Sequence, residues 1–127
     1  MPDATPDDSG RYAYDSLLDD VLHEKHRLGI LTALVARPGG VAFTELVRLC
    51  ALTDGNLSRH LTRLAEAGLI EIRKGYDGRR PLTTCRITAV GRRRFRQYLT
   101  ELEQVLREAV KAEAKPAPDP PPGLATA

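Results

Sequence analysis

Asn56 and Arg59 are suited by their chemistry to reading the edges of base pairs. Arginine can donate two hydrogen bonds to O6 and N7 of guanine, and asparagine can pair in the same two-point manner with N6 and N7 of adenine. The two residues lie three positions apart in the chain, so a helix would present them on one face. The chemistry predicted for this segment is base recognition in the major groove of duplex DNA.

A helix that can carry these side chains is predicted over residues 54–66. Thr53 can cap its start by accepting a hydrogen bond from the amide of Gly55 or Asn56. Gly68 can supply the left-handed residue that ends it. The helix therefore has a signal at each end.

This predicted helix has two unlike sides. Its leucines recur on one side and can pack on a core, and they are Leu57, Leu61 and Leu64. The opposite side is small and polar, and it consists of Gly55, Arg59 and Thr62, flanked by Asn56 and Arg63. An arginine a turn or two further along, such as Arg63, is better placed for a phosphate than for a base. An ordinary solvated helix face is the alternative interpretation.

A basic hairpin is predicted directly after this helix. Residues 69–74 and 82–88 are short and rich in β-branched residues, and a loop of about seven residues with glycine and proline joins them. Lys74, Arg79 and Arg80 can reach a sugar-phosphate backbone or an adjacent minor groove from this hairpin. A mobile surface turn is the alternative for the same loop.

Three further helices are predicted to form the scaffold. Apolar residues from Leu17 to Val35 recur at helical spacing, which indicates one long first helix or a short one followed by a longer one. Thr44 can cap a second helix, and Thr88 can cap the last. Cys85, in the second predicted strand, should point to the core.

Only the central part of the chain is predicted to fold. Residues 1–14 are acidic and polar and residues 114–127 are rich in proline, so we expect both ends to be disordered. Residues 15–113 then form one domain for DNA binding and dimerisation.

Charge is distributed unevenly along the 127 residues, although the net charge is only +2. Residues 1–20 carry a net charge of −5, from six acids and one base, and residues 48–96 carry +8, from twelve bases and four acids. Such separation is expected when one segment faces phosphates. The start of the chain lacks a secretory signal and no apolar run is long enough to cross a bilayer, so we expect a cytoplasmic protein without membrane contact.

Catalysis and metal binding have little support in the sequence. His23 and His26 could approach one ion from a helix, but no acid or cysteine completes a convincing four-ligand set. Cys50 and Cys85 lack CxxC spacing and are expected to be buried thiols. No Ser-His-Asp order, phosphate-binding glycine loop or HExxH motif occurs. We predict no enzymatic activity, no metal and no cofactor.

The last helix carries an apolar stripe near heptad spacing, which indicates packing on a partner helix, either the first helix or its mate in a second subunit. A homodimer is favoured, because the last helix is too apolar along its length to be left without a partner on so small a protein. A dimer would also place two recognition helices about 34 Å apart on an inverted repeat. The predicted dimer contacts are Leu17, Val21, Phe95, Leu99, Leu102, Leu106 and Ala109. Four arginines near the start of this helix either contact phosphates or are solvated, and they are Arg92, Arg93, Arg94 and Arg96.

The segments LTDGNLSRHL (52–61), LAEAGLI (64–70) and GRRPLTT (78–84) closely resemble the small bacterial winged helix-turn-helix transcriptional regulators related to the MarR and ArsR groups. The resemblance spans about residues 17–108. It implies a mainly α fold with a small β-hairpin (α+β), a homodimer that forms through terminal helices, and binding to promoter DNA. Many such proteins have proline where Lys25 stands. The clustered cysteines of ArsR metal sensors are missing, so metal sensing is not implied.

The resemblance also assigns positions to the DNA-binding elements. In the recognition helix it places Thr53, Gly55, Asn56, Ser58, Arg59, His60 and Arg63, and in the wing Lys74, Arg79 and Arg80. The predicted function is that of a sequence-specific regulator that binds double-stranded DNA. A winged-helix module that binds an acidic protein partner instead of DNA is the alternative. The sequence does not indicate an effector molecule.

Overall fold

A computed structural model describes residues 9–15 and 19–123 of the chain. These residues form four helices and a three-stranded antiparallel sheet, as expected of a mainly helical α+β domain. In chain order the elements are α1 (Lys25–Ala36), β1 (Val41–Ala42), α2 (Phe43–Cys50), α3 (Asp54–Glu66), β2 (Ile70–Asp77), β3 (Arg80–Ile87) and α4 (Ala89–Glu113). The predictions for residues 1–8, Leu17 and residues 124–127 lie outside the described residues. Residues 115–123 are exposed and belong to no helix or strand.

The first helix begins at Lys25 because Glu24 caps it. The Glu24 carboxylate accepts a hydrogen bond from the backbone amide of Arg27 at 2.8 Å, and the Glu24 backbone is extended. Lys25 therefore occupies the first helical position, at which proline is also well tolerated. Residues 19–24 form turns instead of continuing the helix backwards, so within the described residues this region has a single helix.

The prediction that Thr44 caps the second helix is wrong. Helix α2 begins at Phe43, and its cap residue Ala42 makes no side-chain hydrogen bond. Ala42 is extended because Val41 and Ala42 pair with β3, opposite Cys85 and Thr84. Strand pairing, and not a side-chain cap, sets the start of this helix.

The loop of the hairpin is shorter than predicted. Strands β2 and β3 remain paired as far as Asp77 and Arg80, so only Gly78 and Arg79 lie between them. Gly78 has a φ of +66°, a conformation that glycine adopts without cost and that tight hairpin turns require. Most of the predicted loop residues are therefore strand residues, and their side chains alternate between the two faces of the sheet.

The core lies between the helices and the inner face of the sheet. The inward-facing leucines of α3 are at most 2% exposed, as predicted, and they are Leu57, Leu61 and Leu64. Cys85 is also buried as predicted, and burial raises the pKa of its thiol to about 11. Cys50 is only partly buried, so the expectation of two buried thiols is confirmed for Cys85 alone.

Thr88 joins the end of α3 to the start of α4. Its hydroxyl accepts a hydrogen bond from the amide of Gly91 at 2.9 Å, which confirms the predicted cap of α4. The same hydroxyl lies 2.7 Å from the carbonyl oxygen of Gly68, to which it can donate. Gly68 has the predicted positive φ, +75°. The residue that caps α4 therefore also holds the chain at the C-terminal end of α3.

Candidate nucleic-acid interface

Helix α3 has the predicted bounds and the predicted cap. The hydroxyl of Thr53 accepts a hydrogen bond from the amide of Asn56 at 3.2 Å. Asp54 lies in the first turn, where a negative charge is favourable to the helix dipole. A rigid helix with an ordered start can hold side chains at fixed positions in front of a ligand.

The predicted front of α3 is uncovered in the folded chain. Every residue of that front is exposed, and the set is Gly55, Asn56, Arg59, Thr62 and Arg63. A guanidinium nitrogen of Arg59 donates to Oδ1 of Asn56 at 2.6 Å. This bond orients two side chains that have the donors and acceptors needed for base edges. The apolar groups of the helix are buried on the other side.

The fold itself does not require glycine at position 55. No atom lies within 4 Å of the place where a Cβ would stand, and φ is not in the left-handed region. A glycine within a helix costs about 0.8–1 kcal/mol relative to alanine. A demand from outside the protein, such as close approach of a ligand to the backbone, would account for its presence.

The hairpin and α3 lie on the same side of the molecule. Ser58 and Thr62 of α3 line one cleft together with Lys74 of β2 and Thr83 of β3. Lys74 and Thr83 are directly paired across the strands, so both project from the face of the sheet that is turned toward α3. A hydroxyl-lined helix edge and a lysine are therefore brought together.

The other two basic residues predicted to contact DNA from the hairpin, Arg79 and Arg80, lie nearer its tip. Arg79 is in the turn, and Arg80 pairs with Asp77 on the face opposite Lys74. Tyr76 shares the face of Lys74 and is 75% exposed. Tyr76 was not among the residues predicted for the interface, although its spacing of two from Lys74 places both side chains on one face of a strand.

The winged helix DNA-binding domain family has a sequence model that matches residues 26–106. The chain belongs to this family. It is also 40% identical over 63 residues to an uncharacterised protein of Methanocaldococcus jannaschii, a match that covers 50% of this chain and 68% of that protein.

Solved structures agree with this assignment. A transcriptional regulator homologue from Pyrococcus horikoshii OT3 has a TM-score of 0.72 and 27% identity, over 78% of this chain and 97% of that one. A MarR-family regulator from Enterococcus faecalis V583 shares the fold, with a TM-score of 0.62 and 18% identity, over 90% of this chain and 98% of that one. Family and fold are those of a winged-helix DNA-binding domain, as predicted. In these terms α3 is the recognition helix and the β2–β3 hairpin is the wing.

His60 does not belong to the exposed front of the recognition helix. Its side chain is 20% exposed and its Nδ1 lies 3.9 Å from a Glu24 carboxylate oxygen. A guanidinium nitrogen of Arg27 donates to the same Nδ1 at 3.2 Å. Burial, followed by the positive charge of Arg27 and its neighbours, outweighs the carboxylate of Glu24, so the pKa of His60 is lowered. His60 therefore faces the start of α1.

The arginines at the start of α4 differ in their surroundings. Arg94 forms an ion pair with Asp19 of the same chain, so part of its positive charge is neutralised within the protomer. Arg93 and Arg96 are exposed. Asp19, from the acidic N-terminal region, thus offsets the unfavourable interaction of Arg94 with the positive end of the helix dipole.

The predicted dimer contacts fall into two groups. Phe95 is 3% exposed and belongs to the core of the protomer. Val21 and Leu102 are partly buried and pack against that core. Leu99 is 43% exposed and Leu106 58% exposed. Ala109 is exposed. The second group leaves apolar surface free for another molecule, whereas Phe95 has almost none to offer.

No helix among the described residues is long and apolar enough to cross a membrane.

Proposed function

We propose that the chain is a sequence-specific transcriptional regulator that binds duplex DNA as a homodimer on an inverted-repeat operator. The observation that carries this proposal is the exposed polar front of α3 beside Lys74 of the wing. A major groove about 12 Å wide admits a helix of this kind. The wing then lies over the adjacent backbone.

Affinity and specificity come from different residues in this proposal. Exposed lysines and arginines displace counterions from phosphates, which supplies affinity on any sequence. Asn56 and Arg59 supply the choice of bases, because they can form paired hydrogen bonds with base edges. Arg63, Lys74, Arg79 and Arg80 are assigned to the backbone.

Dimerisation is supported by the C-terminal part of α4. The buried residues of this helix of 25 residues end at Tyr98, and the helix continues for about another 20 Å at the usual rise per residue. Leu106 and Val110 in this extension are 58% and 67% exposed. Apolar groups at this spacing on a projecting helix suit a matching helix of a second copy.

The protein would act in the cytoplasm, on chromosomal promoters.

Selection of bound fragments from random duplex DNA tests the function directly. We expect an enriched motif with two inverted half-sites whose centres lie about 34 Å, or one helical turn, apart. Failure to enrich any motif would refute sequence-specific binding. An unpaired half-site would refute the dimer on an inverted repeat.

A further inference from the structure

Three side chains with metal-binding donors meet where α1 begins beside the recognition helix. Glu24, His26 and His60 each place one ligand atom within 4.8 Å of the other two. Nδ1 of His26 lies 2.9 Å from one carboxylate oxygen of Glu24, and Nδ1 of His60 lies 3.9 Å from the other. The two imidazole rings have centroids 5.3 Å apart. We call these three residues the Glu-His-His cluster.

The cluster has the donors of a first-row transition-metal site. Two imidazole nitrogens and one carboxylate oxygen are a known three-ligand set for Zn²⁺, with water in the fourth position. His26 and His60 line an open depression that also reaches Asn56 and Arg59. An ion therefore has an entry path, and a water molecule has room beside it.

We propose that the Glu-His-His cluster binds Zn²⁺ or a similar first-row divalent ion. Such an ion would tie the N-terminal end of α1 to the middle of the recognition helix. This proposal departs from the sequence-based expectation of no metal, which weighed His23 with His26 as the pair that could approach one ion. His23 instead lies 2.6 Å from the hydroxyl of Tyr98 and points elsewhere.

Arg27 competes with the ion for His60. Its other guanidinium nitrogens donate to the carbonyl oxygens of Val21 and Asp20, each at 2.7 Å. A metal ion bound through Nδ1 of His60 would displace one of the three contacts of the Arg27 guanidinium. It would also bring the positive charge of the ion close to that of Arg27. Binding is therefore reversible and weaker than at a structural zinc site, as a site that responds to metal concentration requires.

The effect on DNA rests on the proposed function. Asn56 and Arg59 share the depression with the cluster, so a bound ion adds positive charge beside the DNA-contacting front. It also limits movement of α3 against α1. We expect metal binding to tighten the complex with DNA.

Titration of the chelator-treated full chain with Co²⁺, followed by its visible absorption, tests the site without DNA. We expect a tetrahedral Co²⁺ spectrum that Zn²⁺ abolishes, together with a higher melting temperature in Zn²⁺. His60→Gln and His26→Gln should each weaken Co²⁺ binding by more than about 100-fold, the upper end of what loss of an outer-shell partner costs. His23→Gln is the matched control and should bind Co²⁺ like the original chain.

The outcomes separate the site from its consequence. If Co²⁺ binds equally to the original chain and to a folded His60→Gln variant, as judged by circular dichroism, the metal site is refuted. If Zn²⁺ binds but leaves DNA affinity unchanged, coupling to the recognition helix is refuted. Metal binding at the cluster without any DNA binding would count against the proposed function and not against the site.

Discussion

Helices α3 and α4 are both amphipathic, but they use their two sides differently. In α3 the inward leucines are fully used in the core and the outward side has no large apolar group. In α4 the buried residues are confined to the first half, and they are Gly91, Phe95 and Tyr98. The second half keeps Leu106 and Val110 largely exposed.

The difference indicates which kind of partner each helix faces. A small, polar, basic surface gains little from another protein core and suits a polyanion. An unpaired apolar stripe suits a like surface, because its burial removes apolar area from water. We propose on this basis that α3 contacts DNA and α4 forms the dimer, and the following variants test that division.

The largest effect is expected from Leu106→Glu on α4. A charge in the apolar stripe should prevent dimerisation and remove the advantage of two linked half-sites, which is about 100-fold to 10,000-fold in affinity. Sedimentation and binding to a two-half-site duplex measure both consequences. Gln97→Glu is the control, since Gln97 is exposed on the opposite side of the helix. A dimer that survives Leu106→Glu would remove α4 from the interface.

Arg59→Ala should weaken binding to the selected operator by about 1–3 kcal/mol per half-site. The loss should be accompanied by relaxed base preference at one position of each half-site, because Arg59 is assigned to a base. Competition against operators altered at single positions measures this preference. Equal weakening on every sequence would show that Arg59 contacts only phosphate.

Gly55→Ala should separate folding from binding. Nothing lies near the added methyl group in the free protein, so the variant should be more stable by about 0.4–1 kcal/mol. It should nevertheless bind DNA more weakly, by about 1–3 kcal/mol, if the backbone packs against the duplex.

Gly29→Ala on α1 is the matched control for this glycine. It also has open space around the added group, and it should gain stability without losing DNA affinity. Urea denaturation and operator titration of both variants give the comparison. Unchanged DNA binding by Gly55→Ala would show that no ligand approaches the backbone there.

Arg80→Ala should reduce affinity on all sequences and lower the slope of log affinity against log salt by about one unit per contact. Lys74→Ala tests the opposite face of the wing in the same titration. An unchanged slope in the Arg80 variant would mean that only the face of the wing turned toward α3 contacts phosphate.

The smallest effect concerns pH. The pKa of His60 is lowered in the folded chain from its ordinary 6.5, so well above pH 6.5 this residue is neutral in both the folded and the unfolded chain. At lower pH the unfolded chain takes up the proton first, and the free energy of unfolding therefore decreases as the pH falls. In the presence of chelator, His60→Gln should lose less stability than the original chain between pH 7.5 and 5. Urea denaturation at both pH values measures this, and equal losses would contradict it.

Local signals explain why α3 was predicted so closely. Its cap, its leucine spacing and its final glycine are all encoded within a few residues, and helical bonds also connect residues a few positions apart. The same reason applies to Thr88 as the cap of α4. The exposed residues proposed to face DNA follow from this helix and its periodicity.

Predictions that depended on distant pairing were less successful. The start of α2 is set by β1 pairing with β3, and the length of the hairpin is set by a ladder that extends to Asp77 and Arg80. Neither is encoded in the residues next to it. The resemblance placed His60 among the DNA-binding positions of the recognition helix, although its place on α3 adjoins the side that packs against α1.

The sequence by itself determined the recognition helix, the basic wing segment and the absence of a local catalytic motif, because each is a pattern of neighbouring residues. Only the tertiary structure decided that Phe95 is used in the core while Leu106 stays exposed, since burial depends on what the rest of the chain covers. It also brought Glu24 and His26 to His60 across more than thirty positions of sequence. Packing of α1 on α3 creates that neighbourhood, and no spacing within either segment encodes it.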